Sequence, residues 1–108
     1  MKDRINVWFK SDRGTRPVII EIDNTLEALQ NLVGGYIETL TVFEGAVLIF
    51  NEEGRLRGLP YNITFCGVDL VGPLVLAGVD GDEFTDIPEA AVEAISFGVM
   101  ASGREAEK

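Results

Sequence analysis

The residues of this chain best equipped for chemistry lie in the block 51–62, where Arg55, Arg57 and Tyr61 stand among two glycines, a proline and two asparagines. Arginine presents a planar fork of N–H donors that grips phosphate or carboxylate through paired hydrogen bonds. Tyr61 offers an aromatic face to a planar ring, and the amides of Asn51 and Asn62 read polar edges. The expected ligand site is therefore Arg55, Arg57, Tyr61, Asn62 and Asn51, and the expected ligand is a small anion of nucleotide type. The same residues also have an architectural reading. Asn51-Glu52-Glu53-Gly54 is ordinary turn chemistry, and Pro60 is what ends an edge strand. Alternation in Arg55-Leu56-Arg57 predicts a short strand with both guanidinium groups on one face.

Catalysis has little to work with. The chain holds no histidine, which removes the commonest general base, the usual partner of a serine or cysteine nucleophile, and nearly every zinc site. Its 18 carboxylates are spread over turns and helix starts, so no acid–base pair stands out. Asp80-Gly81-Asp82-Glu83 lacks the alternating oxygens and distant glutamate of a calcium loop and reads as a turn. Gly34-Gly35 follows a helix instead of opening one, so it reads as a C-cap and not as a phosphate cradle. The expectation is a protein that is not an enzyme, with no catalytic residues, no metal and no cofactor. Cys66, between Phe65 and Gly67, is expected to be a buried structural thiol, with no basic neighbour to lower its pKa.

Charge narrows the partners. The net charge of −9 argues against direct nucleic-acid binding, which needs clustered lysine and arginine. Five cations fall within residues 1–20, and Arg55 and Arg57 are the only others before residue 104. The stretches 21–54 and 58–103 each hold seven carboxylates and no cation. No window approaches a membrane span and the N-terminus lacks an apolar signal core, so a cytoplasmic location is expected.

Strands and helices must position these groups. Residues 5–10 and 17–22 read as a hairpin across a polar turn. Asn24 with Glu27 has the spacing of a capping box. Leu26, Leu29, Leu32 and Val33 then predict a short helix that ends at Gly34-Gly35. Residues 36–42 and 46–50 predict a second hairpin, and 63–66 and 74–79 are further apolar segments, either of which suits a buried central strand. Asp86-Ile87-Pro88-Glu89 opens a helix of about two to three turns with Ile87, Ala91 and Ile95 as its stripe and Phe84 as an anchor. The fold class is α+β: a mainly antiparallel sheet with two short helices packed on one face. Residues 1–103 form a single domain, with 1–16 a variable N-terminal hairpin portion and 104–108 a disordered tail.

Several blocks carry a resemblance: Glu21-Ile22-Asp23-Asn24-Thr25-Leu26-Glu27-Ala28-Leu29-Gln30, Val33-Gly34-Gly35-Tyr36-Ile37-Glu38, the block 51–62, Ala77-Gly78 and Glu83-Phe84-Thr85-Asp86. In order and spacing, from about residue 17 to 95, the chain resembles domain-of-unknown-function family 3846. That resemblance implies a compact α+β domain of phage, plasmid or conjugative-element origin with no established activity. The segment before residue 17 is longer and more basic than the family pattern, and Gly72-Pro73 stands where a strand-compatible pair is usual.

The functional expectation that follows is a non-catalytic accessory protein of a phage or mobile element. It is a homo-oligomer that sequesters a small nucleotide-type ligand and so counters host defence signalling. The alternative is an acidic decoy or mimic that binds and inhibits a host defence or nucleic-acid-processing protein. A structural accessory role is the third possibility. Arginines converging in one cleft favour ligand capture; carboxylates ranged along an exposed face favour mimicry.

Overall fold

In the computed structural model, which describes residues 3–65 and 67–102 with side chains as far as residue 96, the basic N-terminal segment forms the expected hairpin. Strands β1 (Arg4–Lys10) and β2 (Val18–Asp23) pair antiparallel from Arg4 opposite Asp23 to Phe9 opposite Val18. Helix α1 (Leu26–Val33) follows. Its N-cap is Thr25, whose Oγ1 accepts the Ala28 N–H at 3.1 Å, one residue later than the capping-box pattern placed it. Asn24 is used otherwise: its side-chain amide donates to the Phe84 carbonyl at 3.1 Å. Gly34 ends the helix at φ 82°, a left-handed conformation that a Cβ disfavours, and returns its N–H to Gln30 O at 2.8 Å.

The second hairpin is β3 (Ile37–Phe43) with β4 (Ala46–Asn51). After residues 52–60 come β5 (Tyr61–Phe65), β6 (Val68–Val71), β7 (Leu74–Asp80), β8 (Glu83–Thr85) and α2 (Glu89–Ser102). The main sheet runs β2-β1-β7-β4-β3, with β8 added beside β7, and every pairing is antiparallel. The run 74–79 is a central strand as expected. One edge of β7 is divided: Leu74 and Leu76 face β1, whereas Gly78 and Asp80 face β8. Gly78 marks the handover, since a Cβ there would lie 2.2 Å from the Asp86 carbonyl oxygen.

The helices do not share a face, which corrects that part of the expectation. Ala46, Leu48, Leu74, Leu76 and Trp8 bury one side of the sheet against β5, β6 and α2, through Ile63, Phe65, Leu70, Ala91 and Ile95. The alternate residues Val47, Ile49, Val75, Ala77, Ile5 and Val7 bury the other side against α1, through Leu29 and Val33. Strands apolar at consecutive positions need cover on both faces, and one helix supplies each. The class stands as expected: α+β, mainly antiparallel, two helices.

Three further differences have local causes. Of the two candidate central strands, the run 63–65 is not one: β5 pairs with β6 in a separate two-stranded sheet laid over the main one. β6 and β8 are only four and three residues long, too short for periodicity to register. α2 runs for 14 residues, longer than expected, while its stripe is as read, with Ala91 and Ile95 buried and Ile87 packed beside them. The expectations for Cys66 and for the tail 104–108 lie outside the described residues.

Candidate binding surface

Between the end of β4 and the start of β5, residues 52–60 fold as a knot of turns and not as a strand, which overturns the like-facing arginines. Where β4 ends, Asn51 is buried. Its Nδ2 donates to Val33 O at 3.1 Å, and its Oδ1 accepts the Glu53 N–H at 2.8 Å. The backbone then coils on itself. Gly54 N donates to Asn51 O, Arg57 N to Glu53 O, Gly58 N to Arg55 O and Leu59 N to Gly54 O, all within 2.9–3.1 Å. Four bonds in so short a span leave no register for a strand, and Gly58 at φ 70° completes the reversal.

The two arginines leave this knot on different sides. Arg57 Nη1 donates to Gly34 O at 3.0 Å, at the C-terminal end of α1. That helix has no basic residue in its last turn, so Arg57 supplies from outside the cation its carbonyl end favours. Arg55 Nη2 instead donates to the Asp69 carbonyl on β6. Two of the sequence blocks, 33–38 and 51–62, are thus one interlocked unit. A Cβ on Gly35 would come within 2.9 Å of Asn51 Nδ2 and 3.2 Å of Arg57 Nη1, so glycine is what lets them meet.

The remaining expected site residues are tied into the fold. Asn62 is fully buried: its Nδ2 donates to Gly72 O at 2.8 Å and Lys10 O at 3.1 Å, and its Oδ1 accepts from Lys10 Nζ at 3.1 Å. Tyr61 is half-buried, its hydroxyl 2.7 Å from Thr64 Oγ1 and its ring beneath the Arg13 guanidinium, 5.8 Å from the centroid. Lys10 is a buried cation that the residue-type reading passed over. Besides Asn62, its Nζ donates to the carbonyls of Asp12 at 2.6 Å and Arg13 at 3.1 Å, closing the first hairpin loop. In that loop the Asp12 carboxyl is held below the ordinary aspartate value. The Thr15 hydroxyl is the chief cause; desolvation opposes it, and the Gly14 N–H, the Lys10 charge and the Thr15 N–H add to the lowering.

Of the five expected residues, Arg55 and Arg57 are the exposed ones, each beside its own depression. On the Arg57 side, Gln30, Asn31, Tyr36 and Glu53 line a shallow hollow of about 430 Å³. Its anion affinity is opposed by Glu53 and by the carbonyl end of α1. On the Arg55 side, Leu40, Leu56 and Val68, with Glu38 and Glu52, line a groove of about 350 Å³ between β3 and β6. Among the described residues, Leu56 at 90% exposure and Tyr36 at 66% are the most exposed large hydrophobics, and sequence reasoning singled out neither as a surface residue. Leu56 lay between the arginines, in a run that alternation read as a short strand.

Among the described residues, no three histidine, cysteine, aspartate or glutamate side chains are grouped to hold a metal ion. None of the described helices is long and apolar enough to cross a membrane. Fold and surface together define a small α+β domain, its sheet covered on both faces, which displays apolar and charged side chains on a tightly bonded turn. The model of the family described as domain of unknown function (DUF3846) matches residues 6–97, and the chain belongs to that family. The match reaches back into the N-terminal hairpin, further than the blocks that carried the resemblance. No curated protein and no solved structure matches the chain.

Proposed function

We propose that this is a non-catalytic binding protein whose partner is another protein, engaged through the turn 52–58 and the groove beside it. The observation that carries the reading is Leu56, 90% exposed at the crest of a turn whose backbone is fixed by internal hydrogen bonds. One exposed leucine is ordinary. A leucine on a preorganised turn, flanked by arginines and sharing a groove with the half-exposed Leu40 and Val68, has the make-up of a contact surface. Preorganisation matters because side chains already held in place lose little freedom on binding. The net charge of −9 and the absence of histidine in the sequence agree with a binding role.

That the chain is borne by a phage or other mobile element, acts in the bacterial cytoplasm and inhibits a host defence or nucleic-acid-processing protein is part of the same proposal. Those parts rest on the family resemblance and the acidic composition. A second reading, capture of a small nucleotide-type ligand, is favoured by the exposed Tyr36 ring in the same hollow as Arg57. It ranks second because the arginines do not converge.

Affinity purification of the parent chain, Leu56→Asp and Arg57→Ala from a natural host, with both proteins and small molecules identified by mass spectrometry, separates the two. A protein retained stoichiometrically by the parent and lost in Leu56→Asp is the expected result. A nucleotide retained by the parent and by Leu56→Asp but lost in Arg57→Ala overturns the proposal in favour of ligand capture.

A further inference from the structure

Resting on the protein-partner reading above, we infer that the groove on the Arg55 side takes an extended segment of the partner, added as a strand to the outer edge of β3. An apolar residue of that segment stands opposite Leu40, and a lysine or arginine two positions away stands opposite Glu38.

Strand β3 ends the main sheet and pairs only with β4 among the described residues, so its other edge offers backbone donors and acceptors to an incoming chain. The usual guards of an edge are sparse there. The sequence Ile37-Glu38-Thr39-Leu40-Thr41-Val42-Phe43 contains no lysine and no proline, and its one irregularity comes after Thr41. The opposite edge, β2, is entered through Pro17, and its Glu21 and Asp23 are engaged by Arg4 at 3.5 and 3.2 Å.

Register fixes which side chains the newcomer meets. Leu40 stands opposite Leu48, and Glu38 opposite Phe50, so both project on the face where the groove lies. A strand laid beside β3 sends alternate residues onto that face, hence the spacing of two. The groove then covers the apolar residue with Leu40, Leu56 and Val68, which are 39%, 90% and 44% exposed.

Charge selects its neighbour. Glu38, Glu52 and Asp69 line the groove against one cation, Arg55, which is already bonded to the Asp69 carbonyl. Both β3 and β6 also come from stretches of sequence without a single lysine or arginine. A basic residue is attracted here and an acidic one repelled.

The test uses the whole chain and short fluorescein-labelled threonine–valine peptides carrying Arg-Thr-Leu-Thr-Arg, Glu-Thr-Leu-Thr-Glu or Thr-Arg-Leu-Arg-Thr at the centre, symmetric so that either strand direction presents the same pairs, titrated by fluorescence anisotropy. The first should bind about tenfold tighter than the other two, as opposite-charge pairing and correct spacing require. Glu38→Lys, an exposed position, should reverse the order of the Arg-Thr-Leu-Thr-Arg and Glu-Thr-Leu-Thr-Glu peptides. The inference is overturned if no peptide binds, if all three bind alike, or if the order survives Glu38→Lys. It is also overturned if light scattering of the chain alone shows a dimer that Leu40→Lys dissolves, because a second copy then occupies the edge. In each of these cases, loss of a protein partner in Leu56→Asp would still leave the protein-partner reading in place.

Discussion

Replacing Asn62 by alanine should cost about 3 kcal/mol of folding stability, a figure that follows from three hydrogen bonds. The Asn62 amide is fully buried, donates to Gly72 O at 2.8 Å and Lys10 O at 3.1 Å, and accepts from Lys10 Nζ at 3.1 Å. Each neutral bond is worth about 1 kcal/mol net and the bond from the ammonium about 1.5–3 kcal/mol. Lys10 Nζ keeps the carbonyls of Asp12 and Arg13, so the charged contribution falls to about 1 kcal/mol, that of a neutral bond. Alanine also leaves two carbonyls short of a donor where water does not reach. For a domain of this size each kcal/mol moves the Tm by about 4–8 °C, so a fall of roughly 12–24 °C is expected. Urea unfolding followed by circular dichroism and Trp8 fluorescence measures it, with the denaturant slope checked for constancy. Asn62→Asp should not rescue, because a carboxylate keeps its attraction for Lys10 Nζ but turns an acceptor toward two carbonyls. An Asn62→Ala variant within about 0.5 kcal/mol of the parent at unchanged slope would refute this reasoning and return Asn62 to the list of ligand contacts.

Gly78→Ala should destabilise by about 3 kcal/mol, since its methyl would sit 2.2 Å from the Asp86 carbonyl. Gly45→Ala, at φ 79° with no atom near, should lose only the left-handed penalty of about 1–2 kcal/mol. Equal melting temperatures for the two variants would contradict the steric argument. Asp12 should titrate below the ordinary aspartate range by carboxyl NMR, and Thr15→Ala should raise its midpoint. Because the folded-state pKa is the depressed one, the stabilisation this group lends is present at neutral pH and is lost as pH falls through that value. A midpoint indifferent to Thr15→Ala would be inconsistent with the hydroxyl as chief cause.

The sequence carried the first two hairpins, both helices and the central run 74–79, because each rests on local chemistry: β-branched alternation, a cap, a glycine pair, an early proline. The two-sided sheet was also legible in principle. Ala46-Val47-Leu48-Ile49 is apolar at consecutive positions, a pattern that belongs to a strand covered on both faces, yet the helices were assigned to one. The site was less legible, for a physical reason. Residue types such as Asn51, Asn62 and Arg57 satisfy backbone groups inside a fold with the same atoms they would offer a ligand. Only the positions of Val33 O, Gly72 O and Gly34 O decide between the two uses, and those carbonyls come from segments remote in sequence. Leu56 was misjudged by the converse error, when a tight turn was read as a strand.

The divided edge of β7 has a consequence for how the chain is made. β1 finds β2 at once, but its other neighbour is β7, with Lys10 opposite Leu74 and Trp8 opposite Leu76. A nascent chain therefore carries β1 with one edge uncovered while everything up to β7 is still being added. That wait is on the order of 3 to 13 s at ordinary synthesis rates. Trp8 and Val7, buried at the end, spend it half covered. The sheet closes only when β7 slots between two hairpins already formed, one on each side. Strand β7, seventh in chain order, thus joins the first strand to the fourth, and loss of β7 by truncation would leave two hairpins with no strand pairing between them instead of a smaller version of the same domain.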